Sequence, residues 1–201
     1  RILDSSNIEV VGISMYGNGT GVVGIDDDAV KGENAVYIAS GEDIVFNHND
    51  VSGYFHGIGA AGVTGLEVVG NDIYEMQGDG IRGGGVQDAL IADNYLRDFT
   101  GSANSVNHAD MIQLWAGYPE GVINKDIEIS GNILDSGSGD ATQGILIQNE
   151  RFRKEGDPLE GVYNENIYIH ENVIHNAQGH GITLQAVDNA VVVINTVLWY
   201  E

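Results

Sequence analysis

The sequence predicts an all-β chain folded as a parallel β-helix, a solenoid of about eight coils with an asparagine ladder. Three observations predict it. A short phrase recurs six times with asparagine at a fixed offset, apolar residues alternate within each copy, and glycine punctuates the spaces between copies. Self-similarity at a short period is the signature of stacked-repeat architectures.

The first full copy is Asp43-Ile44-Val45-Phe46-Asn47-His48-Asn49. It returns as Leu66 to Asn71, Ala89 to Asn94, Ile127 to Asn132, Ile167 to Asn172 and Ala190 to Asn195. In each, asparagine falls five residues after the first apolar residue, and another apolar residue follows two later (Val51, Ile73, Leu96, Leu134, Ile174, Val197). The asparagines are 22, 23, 38, 40 and 23 residues apart, so the short spacings define the unit and the long ones carry insertions. Apolar alternation is strand periodicity with one face buried. A second strand follows in each unit, marked by Gly57-Ile58, Gly80-Ile81, Met111-Ile112, Gly144-Ile145 and Gly181-Ile182.

A unit of this length has no helical stretch and cannot bury its own apolar side. Stacked units can, because each strand pairs with its copy roughly 4.8 Å away. A stacked amide donates to one neighbour and accepts from the other, satisfying polar groups inside a tight turn. The first coil, Asn7-Ile8-Glu9-Val10, has Ile13 where asparagine belongs, so the ladder is expected to begin one coil later. A sandwich of short strands is the competing reading, but antiparallel folds demand no fixed asparagine offset.

At 201 residues the chain suffices for one domain with a continuous core, here taken as 1–201. Eight basic against 30 acidic residues give a formal net charge of −22, which argues against nucleic acid or an anionic membrane as partner. Such a charge suits high ionic strength or Ca²⁺ binding. There are no cysteines, so no disulfide contributes. No apolar run approaches the roughly 20 residues of a transmembrane helix. The chain opens on Arg1 and stops at Glu201 inside an apparent coil. A solenoid needs its ends covered, so the expectation is a segment of a longer chain, or a homotrimer or flanking domains capping the ends.

Function on a repeated scaffold belongs where the repeat is broken. Three breaks are read as following the second strand: Gly24 to Asn34, with Asp26-Asp27-Asp28, Gly117 to Lys125, and Asn149 to Tyr163. A fourth, Phe99 to His108, precedes it. Arg151, Arg153 and Lys154 concentrate positive charge in one break, suited to an anionic ligand or to offsetting nearby acids in solvent.

Aligning the second strands on their isoleucines stacks further columns. Two residues earlier lie His56, Asp79, Asp110, Gln143 and His180; one later, Gly59, Arg82, Gln113, Leu146 and Thr183. Three later lie Ala61, Gly84, Trp115, Gln148 and Gln185. Strand alternation points the last two columns outward. An aromatic face with amides and hydroxyls is what a sugar-binding groove requires. Asp79 and Asp110, on adjacent coils, repel unless a cation bridges them or one keeps its proton. A bridging Ca²⁺ would bind a uronate, with Arg82 or His108 assisting proton transfer; a shared proton would suit glycoside hydrolysis. The plainer reading has Asp79 capping the Gly78-Asp79-Gly80 turn and Asp110 holding backbone amides.

The ladder, the Gly-Ile strands and the segment His108-Ala109-Asp110-Met111-Ile112-Gln113 resemble the right-handed parallel β-helix superfamily of pectate lyases, alginate-modifying enzymes and phage tailspikes. That resemblance implies a polysaccharide ligand and an extracellular, surface or virion-associated location. The Asp-Pro-His-His stretch of the alginate epimerases is absent, and the nearest basic residue in the groove is Arg82, so the reaction type stays open. Two functions are carried forward. In the first, an enzyme acts on an acidic polysaccharide as lyase, epimerase or hydrolase. His108, Asp110 and Arg82 carry its chemistry, and Gln113, Trp115, Gln148, Gln185, Arg151 and Arg153 hold the sugar. In the second, the same groove binds without turnover, in a structural or adhesive module.

Overall fold

A computed structural model describes residues 1–19, 33–102, 109–116, 122–140, 142–149 and 163–199. Among these residues the chain forms three parallel sheets of seven strands, each stacked in chain order. Sheet 1 comprises Ile2–Leu3, Asn34–Ala39, His56–Ala61, Ile81–Gly84, Ala109–Ala116, Thr142–Asn149 and Ile182–Leu184. Sheet 2 carries the repeated phrase, from Ser6–Val11 and Glu42–Asn47 to Val187–Val193. Sheet 3 is built of three-residue strands such as Asp72–Tyr74 and Tyr95–Arg97. The described residues thus complete seven rungs, against the eight or so that the spacing allowed.

The registers follow the sequence columns. Ile44, Leu66, Ala89, Ile127, Ile167 and Ala190 are aligned partners in sheet 2, as are Ile58, Ile81, Ile112, Ile145 and Ile182 in sheet 1. From Ile44 to Ile167 and from Ile58 to Ile145 their side chains join one core, against which Ile182 packs, while Ala190 on the last rung is exposed. The break read as following the second strand of coil 1 instead precedes it. The sheet 1 strand of that rung is Asn34–Ala39, after the sheet 3 strand Ser14–Tyr16. The chain between them therefore enters sheet 1 rather than leaving it.

The ladder is formed as its spacing required. Each Oδ1 from Asn71 to Asn195 accepts both the backbone N–H and the Nδ2–H of the preceding asparagine, at 2.8–3.0 Å. The second Nδ2 proton goes to a backbone carbonyl of sheet 2, as from Asn94 to Val68 at 2.8 Å. The ladder ends where Ile13 stands, its N–H donating to Asn49 at 3.0 Å. A second, shorter stack escaped the sequence reading: Val86 N–H donates to Asn124 Oδ1, and Asn124 donates to Asn164. Its 40-residue spacing repeats that of Asn132 and Asn172.

The glycine column before the sheet 1 isoleucines exists because the next rung leaves no room. A Cβ on Gly144 would stand 2.1 Å from the Gly181 carbonyl oxygen, and one on Gly57 2.3 Å from that of Gly80. Backbone cannot swing aside as a side-chain tip can. Gly144→Ala should therefore cost about 1–3 kcal/mol, seen as a lowered urea midpoint; an unchanged midpoint would refute this tight packing.

Candidate functional site

Sheet 1 departs from simple alternation where its chemistry gathers. Met111 and Ile112 are consecutive yet both fully buried. Two inward residues in succession reverse the parity of the strand, so Asp110 emerges on the same side as Gln113. Gln113 Nε2 donates to Asp110 Oδ2 at 2.9 Å. One rung earlier the same turn brings Asp79 Oδ2 within 3.4 Å of an Arg82 guanidinium nitrogen. The two carboxyl-bearing residues are joined directly, since Asp110 N–H donates to Asp79 Oδ1 at 3.1 Å. The plainer reading had Asp79 capping its own turn and Asp110 holding backbone amides; here Asp79 accepts the backbone N–H of Asp110 one rung on and pairs with Arg82.

Burial decides the protonation. Asp110 is 0% exposed and Asp79 4%. The Asp110 carboxyl is pushed up to about 8, first by loss of hydration and then by the Asp79 charge; the Gln113 hydrogen bond pulls the other way and does not prevail. Asp110 therefore keeps its proton at neutral pH. His56 completes the group. Burial and then the Arg82 cation push its imidazole down to about 3, so the ring is neutral.

The ring's two contacts favour different tautomers. Asp79 N lies 2.9 Å from Nδ1, which would suit an unprotonated Nδ1, while an Arg82 N–H points at Nε2. A guanidinium can only donate, and so can a backbone N–H, so the neutral ring accepts from one of the two and turns its own proton towards the other. With Nε2 as the acceptor the proton lies on Nδ1, 3.4 Å from Asp79 Oδ2; with Nδ1 as the acceptor, for the Asp79 N–H, it lies on Nε2 and faces Arg82.

Beside this group lies a cleft of about 340 Å³ lined by Asn34, Tyr37, His56, Gly59, Arg82 and Trp115 among others. The Arg82 guanidinium stands 4.8 Å over the Trp115 ring. Gly59 makes the cleft's floor, and a Cβ there would press Asn34 Oδ1 at 2.6 Å and the Tyr37 ring at 3.2 Å.

The structure brings together Asp79, Arg82, Asp110, Gln113 and Trp115. Gln148 is in register with Trp115 but buried, and Gln185 falls one rung further on, its N–H bonded to the Ile147 carbonyl. His108, Arg151 and Arg153 lie outside the described residues. Asn34, Tyr37 and the role of His56 were missed. Their signal was present: Val36 stands 22 residues before Ile58, one repeat unit, without the glycine that marked later strands.

The donor set does not suit Ca²⁺, which takes roughly six to eight oxygen ligands. Asp79 is engaged with Arg82, and no group of three or more metal-ligating side chains forms among the described residues.

The family described as right handed beta helix region matches residues 11–198, nearly the whole described solenoid. The chain belongs to that family. Among solved structures, this β-helix is similar to the surface protein and adhesin PfbA of Streptococcus pneumoniae, at TM-score 0.53 and 13% identity over 98% of this chain and 62% of that one. It is also similar to DFA-IIIase from Arthrobacter chlorophenolicus A6, at TM-score 0.49 and 11% identity over 83% of this chain and 45% of that one. Alginate lyase from Paenibacillus sp. str. FPU-7 matches at TM-score 0.35 and 13% identity, covering 94% and 88%. The chain thus spans less than two thirds of the first two proteins, and at such identities the likeness is one of fold. No curated protein matches it in sequence.

Proposed function

We propose that this β-helix binds and cleaves a polysaccharide on sheet 1, with Asp110 as the proton donor and Asp79 as the charged partner carboxylate. The observation that carries the reading is a fully buried aspartate joined through one hydrogen bond to an ion-paired one and set beside an aromatic-lined cleft, with burial pushing the first carboxyl up to about 8. Glycosidic cleavage needs such a division of labour: one carboxyl protonates the leaving oxygen while the other acts as base or nucleophile. Trp115 and Tyr37 offer sugar-stacking faces, and Gln113 holds the acid in place.

Chemistry rather than size selects this cleft. A larger hollow of about 370 Å³ lies on sheet 2, but Asp43, Glu67, Asp88, Asp126 and Glu128 line it. It carries no cation among its lining residues and would repel an acidic sugar. The sheet 1 cleft carries Arg82, so acidic polysaccharides belong in the test alongside neutral ones. A polysaccharide substrate would place the protein outside the cell or on a surface.

One observation favours a second reading. Asp110 is fully enclosed, so it meets a substrate only if its cover opens, and binding without turnover, as in an adhesive module, needs no such opening. Incubation with neutral and acidic polysaccharides, followed by reducing-end and ultraviolet assays, separates the possibilities. New reducing ends without absorbance support the proposed cleavage. Absorbance from an unsaturated uronate would mean β-elimination and displace Asp110 as the acid. Binding without products would establish the adhesive reading. In either binding case Trp115→Ala should weaken the glycan Kd about tenfold, the loss of one aromatic anchor worth roughly 1–2 kcal/mol. An unchanged Kd would move the ligand off sheet 1.

A further inference from the structure

His56 supplies no proton to the chemistry above, yet it is 8% exposed and closely fitted. A Cβ on Gly78 would lie 2.7 Å from its ring, so glycine there makes the slot. Phe55 packs edge-on against it with centroids 4.6 Å apart. Within that slot Nδ1 faces Asp79 and Nε2 faces Arg82. Arg82 in turn reaches Asp79 Oδ2 and lies over Trp115. A guanidinium on a flexible stem has no intrinsic reason to adopt this one pose. Holding it costs side-chain entropy that some fixed acceptor must offset.

We propose that His56 is a positioning residue: its imidazole is the fixed acceptor that turns Arg82 across Asp79 and the Trp115 face, and so sets the charge that Asp110 feels. The role belongs to the cleft assigned above and rests on that reading for its functional meaning. Among the described residues the charged and titratable groups that meet there are His56, Asp79, Arg82 and Tyr37, with Asp110 one rung on, while Gln113 and, in register with Asp110, Gln143 are neutral. Removing the acceptor releases Arg82 from Asp79. The uncompensated Asp79 charge then acts on Asp110 at close range, raising its affinity for a proton. Glutamine restores an acceptor oxygen without a titrating ring.

Nuclear magnetic resonance tests this without any substrate. In the wild type, ¹⁵N shifts should show His56 as the neutral Nδ1–H tautomer, staying neutral well below its ordinary 6.5. An Nε2–H tautomer, or protonation near 6.5, would overturn the proposal. In His56→Ala the ¹³C carboxyl midpoint of Asp110 should rise by about one unit, with a changed Trp115 indole signal, while His56→Gln keeps both near wild type. No change in His56→Ala would overturn the proposal, and so would equal changes in both variants, which would mean that ring packing and not the acceptor matters. Should His56→Ala fail to fold, the wild-type tautomer and the His56→Gln titration still decide. If the titrations behave as expected while no glycan binds the wild type, His56 keeps its role and the functional reading of the cleft falls.

Discussion

Asn94→Ala should destabilise the protein by about 4 kcal/mol, a large share of the total for a domain of this size. Asn94 is 1% exposed and its amide makes four hydrogen bonds. Alanine leaves the Asn71 backbone N–H and one Asn71 Nδ2 proton without their acceptor, and the Val68 carbonyl without its donor. Asn132 Oδ1 loses one donor but keeps the backbone N–H of residue 94 at 3.0 Å. Water cannot reach the vacated turn readily, so each orphaned group carries a desolvation penalty of roughly 1–3 kcal/mol. Urea unfolding followed by circular dichroism measures the loss. A change under about 1 kcal/mol would show that the ladder decorates the turn and does not hold it.

Asp110→Asn should lower glycan cleavage at least about 100-fold, the usual contribution of a general acid, while leaving glycan affinity intact. The amide copies the protonated carboxyl in shape and neutrality, so the variant should fold. It should also differ from the wild type in how stability depends on pH. The Asp110 carboxyl moves from 3.8 to about 8 on folding, so between those values the folded state binds the extra proton. Its contribution is complete below 3.8 and is lost as pH rises through about 8. His56 acts in the opposite sense: with its imidazole lowered from 6.5 to about 3, the stability it contributes is present above 6.5 and lost as pH falls towards 3. Above 6.5 only Asp110, of these two, still titrates. From pH 6.5 to 8 the wild type should therefore lose about 2 kcal/mol relative to Asp110→Asn. Parallel stability curves across that range would mean that Asp110 is already ionised and cannot be the acid.

Much of this site could be read before any coordinates, because stacking converts sequence offset into contact. Once Ile81 and Ile112 are aligned, Asp79 falls beside Asp110, Arg82 beside Gln113 and Gly84 beside Trp115, and the registers agree. Tyr37 was lost because the long stretch before Asn34 hid the phase of the repeat. His56 was visible in its column, but its contact with Arg82 runs diagonally between rungs and depends on a ring orientation that no column carries. The burial that raises the Asp110 carboxyl was equally closed to the sequence, since it depends on the packing of neighbouring rungs.

The sequence by itself determined the architecture. Every rung repeats one local problem, a tight turn with polar groups to satisfy, and one residue type at one offset solves it, so the period is written in the chain. Only the tertiary structure decided the chemistry. Two consecutive inward residues, Met111 and Ile112, bring Asp110 round to the side of Gln113, and enclosure then removes the water that would have kept its carboxyl charged. Protonation depends on the surroundings of a group on all sides, and those surroundings come from neighbouring rungs 31 residues away in the chain as well as from Gln113 three residues on.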